Sequence, residues 1–405
     1  MTLIHAVTRM TPYASPPPPS SSSPTSEANA STWWHGDVSD AELRSRGLDP
    51  SRVLDFAVNV DPLGPPPEVL AAAREAAVGR YPDPHARELV SVLSTRDGVD
   101  KDQLVVGTGA TGILWAMCAA LRSGGAPAPR VVIAAHSFAE YERAAMAHGL
   151  EVEFLPRSPR DGLALVEREV ERRLSLLRKE GIPFVVVLGH PDNPSGIALD
   201  LSWVAALARV HADAHFVLDE AFLRLSTAWE DIWRELPSNV LRIRSLTKEL
   251  GMPGLRVGYA AGAPAVVRAI ADHTPPWSVG APALAAATVG AGMHEWVPAV
   301  RRRMREWLDA QRLRLAEAGW TAWASTTVYH LVEPAPRPDA APASEAPALS
   351  PQGSRASRWA RGLRRREILV RDCSSFGLPN HLRLCARPSA DGERLIRELG
   401  TLPLV

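Results

Sequence analysis

Cysteine is nearly absent. Cys118, Cys373 and Cys385 are the only three in 405 residues, and none has the paired spacing of a disulfide framework or a zinc site. This excludes a disulfide-stapled scaffold and fits a reducing compartment, the cytoplasm. Net charge is absent too. Forty-five basic residues balance 45 acidic ones, so no global field draws the chain to nucleic acid or to an anionic membrane surface. The basic runs "RRRMREW" (Arg301 to Trp307) and "RGLRRRE" (Arg361 to Glu367) read as solvated helix faces. No apolar run approaches the roughly 20 residues of a membrane span. The opening "SPPPPSSSSPTSEANAS" lacks the apolar region of a secretory signal and reads as a disordered leader. Lysine is scarce beside arginine, which gives each lysine weight.

What is present is a chain with 46% hydrophobic residues, long enough to bury a full core and act as an enzyme on a small molecule. Its middle alternates β-branched runs with amphipathic ones. "QLVVG", "RVVIAA", "LEVEFL", "PFVVVLG", "AHFVLDE" and "NVLRIRS" predict buried strands. Ile113 to Leu121, Ala139 to Ala147, Leu163 to Lys179 and Leu201 to Val210 predict helices between them. Such alternation implies an α/β fold, a mostly parallel sheet covered by helices on both faces in three layers. From about Pro264 helices dominate, up to a long charged one over Glu295 to Ala318. "EPAPRPDAAPASEAPALSPQG" then reads as an exposed insertion. The strands "REILVRD" and "HLRLCAR" and a helix near Gly392 to Leu399 complete a smaller α+β domain. No internal repeat is evident.

Three segments carry chemistry. In "VVGTGATG" a strand runs into a glycine-rich turn that opens a helix, where backbone N–H groups and the helix dipole suit a phosphate. Gly107, Gly109 and Gly112 satisfy the dinucleotide spacing, but the next strand, "RVVIAAH", ends in no acid, and no Gly-Lys-Ser/Thr follows. An ordinary tight turn explains this loop alone equally well. "HPDNPSG" and "VLDEAF" each end a strand where open α/β sheets bind ligands. Taken singly, Asn193 is a turn former and Asp219 a cap. The third segment is "RSLTKELGMPGLRVGY", in which Lys248 lies between a hydroxyl pair and a glycine-rich turn.

One chemistry uses all of them. Pyridoxal phosphate needs a lysine for its aldehyde, an anion to keep the pyridine nitrogen protonated, a donor for the ring oxygen and a cradle for the phosphate. Lys248, Asp219, Asn193 and the Gly107 to Gly112 turn, with Gly109, Ala110 and Thr111 at its centre, supply one of each. On these motifs the chain resembles the fold-type I pyridoxal phosphate enzymes of the class I/II aminotransferase group. Within it the likeness is greatest to the threonine-phosphate decarboxylases of cobalamin biosynthesis, with the histidinol-phosphate aminotransferases as cousins.

The resemblance runs from "WHGD" at Trp34 to the C-terminal helix and implies further roles. Ser245 and Arg256 would hold the cofactor phosphate, Phe138 of "HSFAEYERA" would stack on the pyridine ring, and Tyr81 of "RYPDP" would reach the cofactor phosphate of a neighbouring subunit in a homodimer. Asn59 of "LDFAVNVDPLGPP", His35, Arg371 and Arg383 would face the substrate, Arg383 gripping its carboxylate and Arg371 its other anionic end. "ILVRDCSSFGLPNHLRLCAR" looks more like the decarboxylase branch. Three positions depart from the family pattern: Asp37 beside His35, Gly112 where the branch often has an acid, and Phe222 where the cousins have tyrosine. The implied organisation is a leader over 1–32, an N-terminal arm over 33–65 that joins the small domain, a cofactor-binding large domain over 66–275 and a C-terminal small domain over 276–405. The insertion falls at about 333–354.

The leading expectation is decarboxylation of L-threonine O-3-phosphate, with no metal required. The alternatives are an aminotransferase for histidinol phosphate or a related amino acid, a non-catalytic binding module on the same fold and, more remotely, a dinucleotide-binding protein.

Overall fold

The computed structural model describes residues 38–124, 127–229, 236–334 and 353–401. The leader and His35 and Asp37 lie outside these residues, as does most of the expected Pro/Ala insertion. The strands in chain order are β1 (Leu54–Asp55), β2 (Leu104–Gly107), β3 (Arg130–Ala134), β4 (Val152–Leu155), β5 (Phe184–Gly189), β6 (His215–Asp219), β7 (Val240–Ser245), β8 (Gly258–Ala261), β9 (Trp320–Ala322), β10 (Tyr329–Pro334), β11 (Ile368–Leu369), β12 (Arg371–Asp372) and β13 (Leu382–Cys385).

All six β-branched runs of the middle segment become strands of one seven-stranded sheet, ordered β2-β8-β7-β6-β5-β3-β4. The pairs among β3, β4, β5, β6 and β7 are parallel, and β8 runs antiparallel between β7 and β2. The sheet is an α/β layer buried on both sides because successive side chains point to opposite faces. Val131, Ile133, Val185, Val187, Val217, Leu241 and Ile243 pack on one face with the helices Gly109–Ser123, Glu140–Ala147 and Pro264–Asp272. Val132, Val186, Phe216 and Leu218 pack on the other with Glu167–Lys179 and Leu201–Val210.

Two local expectations change. The helix foreseen from Leu163 begins at Glu167, because Leu163 itself takes a left-handed φ of 62°. The strand foreseen over "REILVRD" divides at Val370: β11 pairs with β1 in parallel, while β12 pairs with β13 antiparallel in a four-stranded sheet ordered β12-β13-β10-β9. Strand β8 carries little sequence signal, since "GYAA" has no β-branched residue; the sheet supplies its hydrogen-bond partners on both sides.

The arrangement brings the motifs to one edge. β3, β5, β6 and β7 end there, followed by the Phe138 segment, "HPDNPSG", Asp219 and the Lys248 turn, and β2 ends beside them at the glycine-rich turn. Gly258 begins β8 under that turn. A methyl group on it would lie 2.6 Å from the Arg244 carbonyl oxygen and 2.8 Å from the Ala110 nitrogen, both backbone atoms. Gly258→Ala should therefore lower the urea midpoint by an amount equivalent to about 1–3 kcal/mol of overpacking, with an unchanged slope. An unshifted midpoint would show that the turn does not rest on this strand.

Candidate active site

A cavity of about 580 Å³ opens at this edge. Asn59, Ala110, Thr111, Phe138, Asn193, Asp219, Ser245, Lys248, Arg256, Arg371 and Arg383 all line it, so residues separated by more than 300 positions converge. Gly109 sits just behind the wall with φ +75°, and a Cβ there would come within 2.8 Å of the Arg256 guanidinium. The positive φ favours glycine there, and its lack of a side chain leaves room for that guanidinium against the turn. At Gly112 a Cβ would meet the Thr108 hydroxyl, which would have to rotate away.

Lys248 stands on the short helix Leu246–Glu249 that follows β7. It is one of three lysines in the chain, with Lys101 and Lys179. Its Nζ lies 5.6 Å from the Phe222 ring centroid, and Phe222 packs edge-on against Tyr329 at 5.1 Å. Phe222 thus forms part of the cavity wall. The Ser245 and Thr247 hydroxyls are hydrogen-bonded at 2.7 Å and both line the cavity.

Asp219 accepts from the Tyr141 hydroxyl at 2.9 Å and from the Ala221 N–H at 3.0 Å. Burial pushes its carboxyl above the ordinary range, and the neighbouring carboxylates Glu220 and Asp192 push the same way, while the two hydrogen bonds offset part of the rise. Those neighbours are matched by arginines: Asp192 by Arg157 at 2.9 Å, and Glu220 by Arg242 and Arg244 at 2.6 and 2.8 Å. Phe138 meets Tyr141 edge-on at 5.7 Å.

On the opposite wall Arg383 donates to the Asn193 side-chain oxygen and, at 2.7 Å, to the Ala57 carbonyl. With its amide oriented toward the arginine, Asn59 accepts from the same guanidinium at 3.1 Å. Arg371 donates to the Ser375 hydroxyl at 2.7 Å and lies 4.9 Å above the Phe376 ring. Arg371 and Arg383 are direct register partners across β12 and β13, and both are buried.

Tyr81 stands apart from its own chain's cavity. It is 82% exposed and packs against Trp277 at 4.9 Å. Sequence reasoning missed Tyr141, although its place three residues after Phe138 on a helical pattern puts both on one face. It also left Thr247 without a role, and it missed the cavity-lining Glu140–Arg143 ion pair at 2.9 Å.

Residues 51–399 match the aminotransferase class I and II family. The chain belongs to that family. It is accordingly a pyridoxal phosphate-dependent enzyme. It is 30% identical over 386 residues to histidinol-phosphate aminotransferase 2 of Pseudomonas aeruginosa, covering 90% of this chain and 93% of that one. It is 28% identical over 254 residues to an adenosylcobalamin biosynthesis bifunctional protein of Leptospira interrogans, covering 60% of this chain and 28% of that longer protein. Among solved structures, the L-threonine-O-3-phosphate decarboxylase of Porphyromonas gingivalis superposes with a TM-score of 0.70 at 24% identity, over 86% of this chain and 98% of that one. The histidinol-phosphate aminotransferase of Sinorhizobium meliloti in complex with pyridoxal-5'-phosphate gives 0.71 at 22%, over 90% and 94%. These last two likenesses establish the fold.

The residues present fit the cofactor. A half-buried carboxylate on the cavity wall whose charge is disfavoured by its surroundings suits a pyridinium nitrogen, and a glycine cradle under an arginine suits a phosphate. The raised carboxyl has a stability consequence. In the cofactor-free protein Asp219 costs nothing below its ordinary value of 3.8, and its ionisation opposes folding as the pH rises above that. Asp219→Asn should therefore raise the melting temperature of the cofactor-free protein at neutral pH and leave it unchanged in acid. The same substitution should weaken cofactor retention. A lowered melting temperature at neutral pH would contradict the assignment of a carboxylate whose charge opposes folding.

Proposed function

We propose that this enzyme decarboxylates L-threonine O-3-phosphate, the reaction that yields an aminopropanol phosphate for cobalamin assembly. The observation that carries the reading is the Arg371–Arg383 pair. Like charges directly opposite across an antiparallel pair are destabilising, so two buried guanidiniums in that relation form a built site for anions, here a substrate carboxylate and a phosphate. The segment containing them, "ILVRDCSSFGLPNHLRLCAR", resembles the decarboxylase branch, and the Leptospira relative is named for adenosylcobalamin biosynthesis. A second reading, transamination of histidinol phosphate, is favoured by the Pseudomonas relative, which matches over nearly the whole chain.

In this reading Lys248 would hold the cofactor aldehyde, Asp219 the pyridine nitrogen, and Asn193 the ring oxygen. Ser245, Arg256 and the Gly109–Ala110–Thr111 turn would hold its phosphate, and Phe138 would cover the ring. The bound cofactor supplies an electron sink for the pair left at the substrate α-carbon. Asp219 keeps the proton on the ring nitrogen. Arg383, itself steadied by Asn193, Asn59 and the Ala57 carbonyl, orients the carboxylate, and Arg371 takes the phosphate. The orientation that Arg383 and Arg371 impose on the carboxylate would decide which α-carbon bond weakens when the cofactor is bound. The Lys248 amine then delivers a proton to that carbon after CO₂ leaves, or removes one in transamination.

Purified enzyme incubated with threonine phosphate should release CO₂ without 2-oxoglutarate. Formation of glutamate only when 2-oxoglutarate is present would replace this reading with the second one. Lys248→Ala should abolish turnover under either reading while leaving some cofactor bound non-covalently, and wild-type activity in that variant would overturn both.

We also propose a homodimer working in the cytoplasm. Leu70 on the helix Pro67–Glu75 and Val289 on the helix Ala281–Ala291 are exposed, as are Val78, Tyr81 and Trp277. Such an apolar surface suits a partner, and the exposure of Tyr81 beside it supports a role for its hydroxyl at a neighbour's cofactor. All three thiols are free, buried and pushed up to about 12 chiefly by burial, as a reducing compartment permits. Tyr81→Phe should weaken cofactor retention by roughly 1–3 kcal/mol, the worth of one hydrogen bond to a charged acceptor. An active monomer in sedimentation would exclude the shared site.

A further inference from the structure

Behind the cavity lies a circuit of charged side chains that none of the roles above uses. Glu220, next to Asp219, holds Arg244 at 2.8 Å. Arg244 holds Asp97 at 3.1 Å, Asp97 holds Arg96 at 2.9 Å, and Arg96 holds Glu249 at 3.2 Å. Glu249, next to Lys248, holds Arg224 at 3.2 Å, and Arg224 lies four residues after Glu220, so the backbone closes the circuit. The six charges alternate in sign around it. Their side chains are all buried except that of Arg224, which is 16% exposed. Tyr259 braces the middle, accepting from Arg96 at 2.7 Å and from Arg244 at 3.1 Å and donating to Asp97. Trp229 lies 5.3 Å from the Arg224 guanidinium and 5.2 Å from that of Arg244.

We infer that this circuit fastens the Lys248 turn to the strand end that carries Asp219 and sets the charge that the Lys248 amine experiences. Glu249 and Arg224 are its positioning residues. The short helix that bears Lys248 has a single turn, too little to hold its own place. Glu249 ties it to the helix Arg87–Asp97 through Arg96 and to the Asp219 segment through Arg224. Burial would raise the Asp97 carboxyl, but Arg96 and Arg244 bring it to about 2, so Asp97 stays charged at neutral pH. A buried ion pair broken on one side leaves an uncompensated charge. The consequence for the neighbouring lysine then depends on which partner is removed, since a nearby anion favours its protonated form and a nearby cation disfavours it.

The inference rests on Lys248 as the cofactor-bearing lysine, yet its test needs no cofactor. Trace acetylation of the cofactor-free protein over a pH series, read by peptide mass spectrometry, gives the titration midpoint of the Lys248 amine, with Lys101 and Lys179 as internal references. Glu249→Gln should lower that midpoint and Arg224→Gln should raise it, each by about half a pH unit or more. The double variant should return toward wild type, and Arg224→Lys, which keeps the charge, should stay there. The other charged or titratable groups near the lysine are unchanged in every variant: Asp219, Tyr141, Arg256, Arg371, Arg383 and the Glu140–Arg143 pair around the cavity, and Tyr329 and Cys385 behind it. A merely structural role would move the single variants in the same direction as the turn loosens. That result, or no movement, overturns the inference. Should Glu249→Gln not fold, the comparison of Arg224→Gln with Arg224→Lys decides it, because Arg224 is the outermost member. If instead Lys248 is not the cofactor lysine, the Lys248→Ala protein keeps the wild-type absorbance band of bound cofactor, whatever the acetylation shows.

Discussion

Three carboxylates crowd the carboxyl edge of the large sheet, and they are treated differently. Asp192 and Glu220 are matched by buried arginines, whereas Asp219 accepts from a phenol and a backbone N–H. Taking a carboxylate out of water is costly unless it is paired. The two arginine-matched acids discharge that cost within the protein and hold their loops. Asp219 keeps part of it, which suits the role proposed for it beside a cationic ring nitrogen. Much of the site follows from this difference, because Tyr141, Phe138, Asn193 and Lys248 are arranged around the same spot.

The scarcity of lysine beside arginine fits this arrangement. A guanidinium stays charged when buried and forks between two acceptors, so arginine serves where the fold needs permanent cations: under "HPDNPSG", along β7, and across β12 and β13. A lysine in those places would lose its charge more readily. At position 248 the role proposed for the lysine reverses the requirement, since it needs an amine that can be neutral and nucleophilic. On that proposal, residue type separates the structural cations from the reactive one within a single cavity and its surroundings.

Glycine divides its labour in the same way. Gly258 lets β8 pass directly beneath the phosphate-type turn, and Gly109 lets Arg256 close over it. Both positions are close approaches of backbone or guanidinium to the turn, and the cradle depends on the absence of side chains there as much as on the groups that are present.

The sequence by itself determined the strands of the large sheet except β8, their burial and the loops at their carboxyl ends, and it singled out Lys248 for the role proposed above. These are local matters: period-two and period-3.6 patterns report burial, and turn residues report where a strand stops. Only the tertiary structure decided which charges meet. Strand register made Arg371 and Arg383 cross-strand neighbours. Packing of the helix Arg87–Asp97 brought Arg96 to Glu249 across 153 positions. Helix and strand together brought the Tyr141 hydroxyl to Asp219. "NVLRIRS" announced a buried strand, but nothing in its pattern named the acids that make Arg242 and Arg244 tolerable there. The physical reason is that a hydrophobic pattern is written along the chain, whereas a salt bridge is defined by register and crossing geometry between distant segments, and these exist only once the sheet has formed.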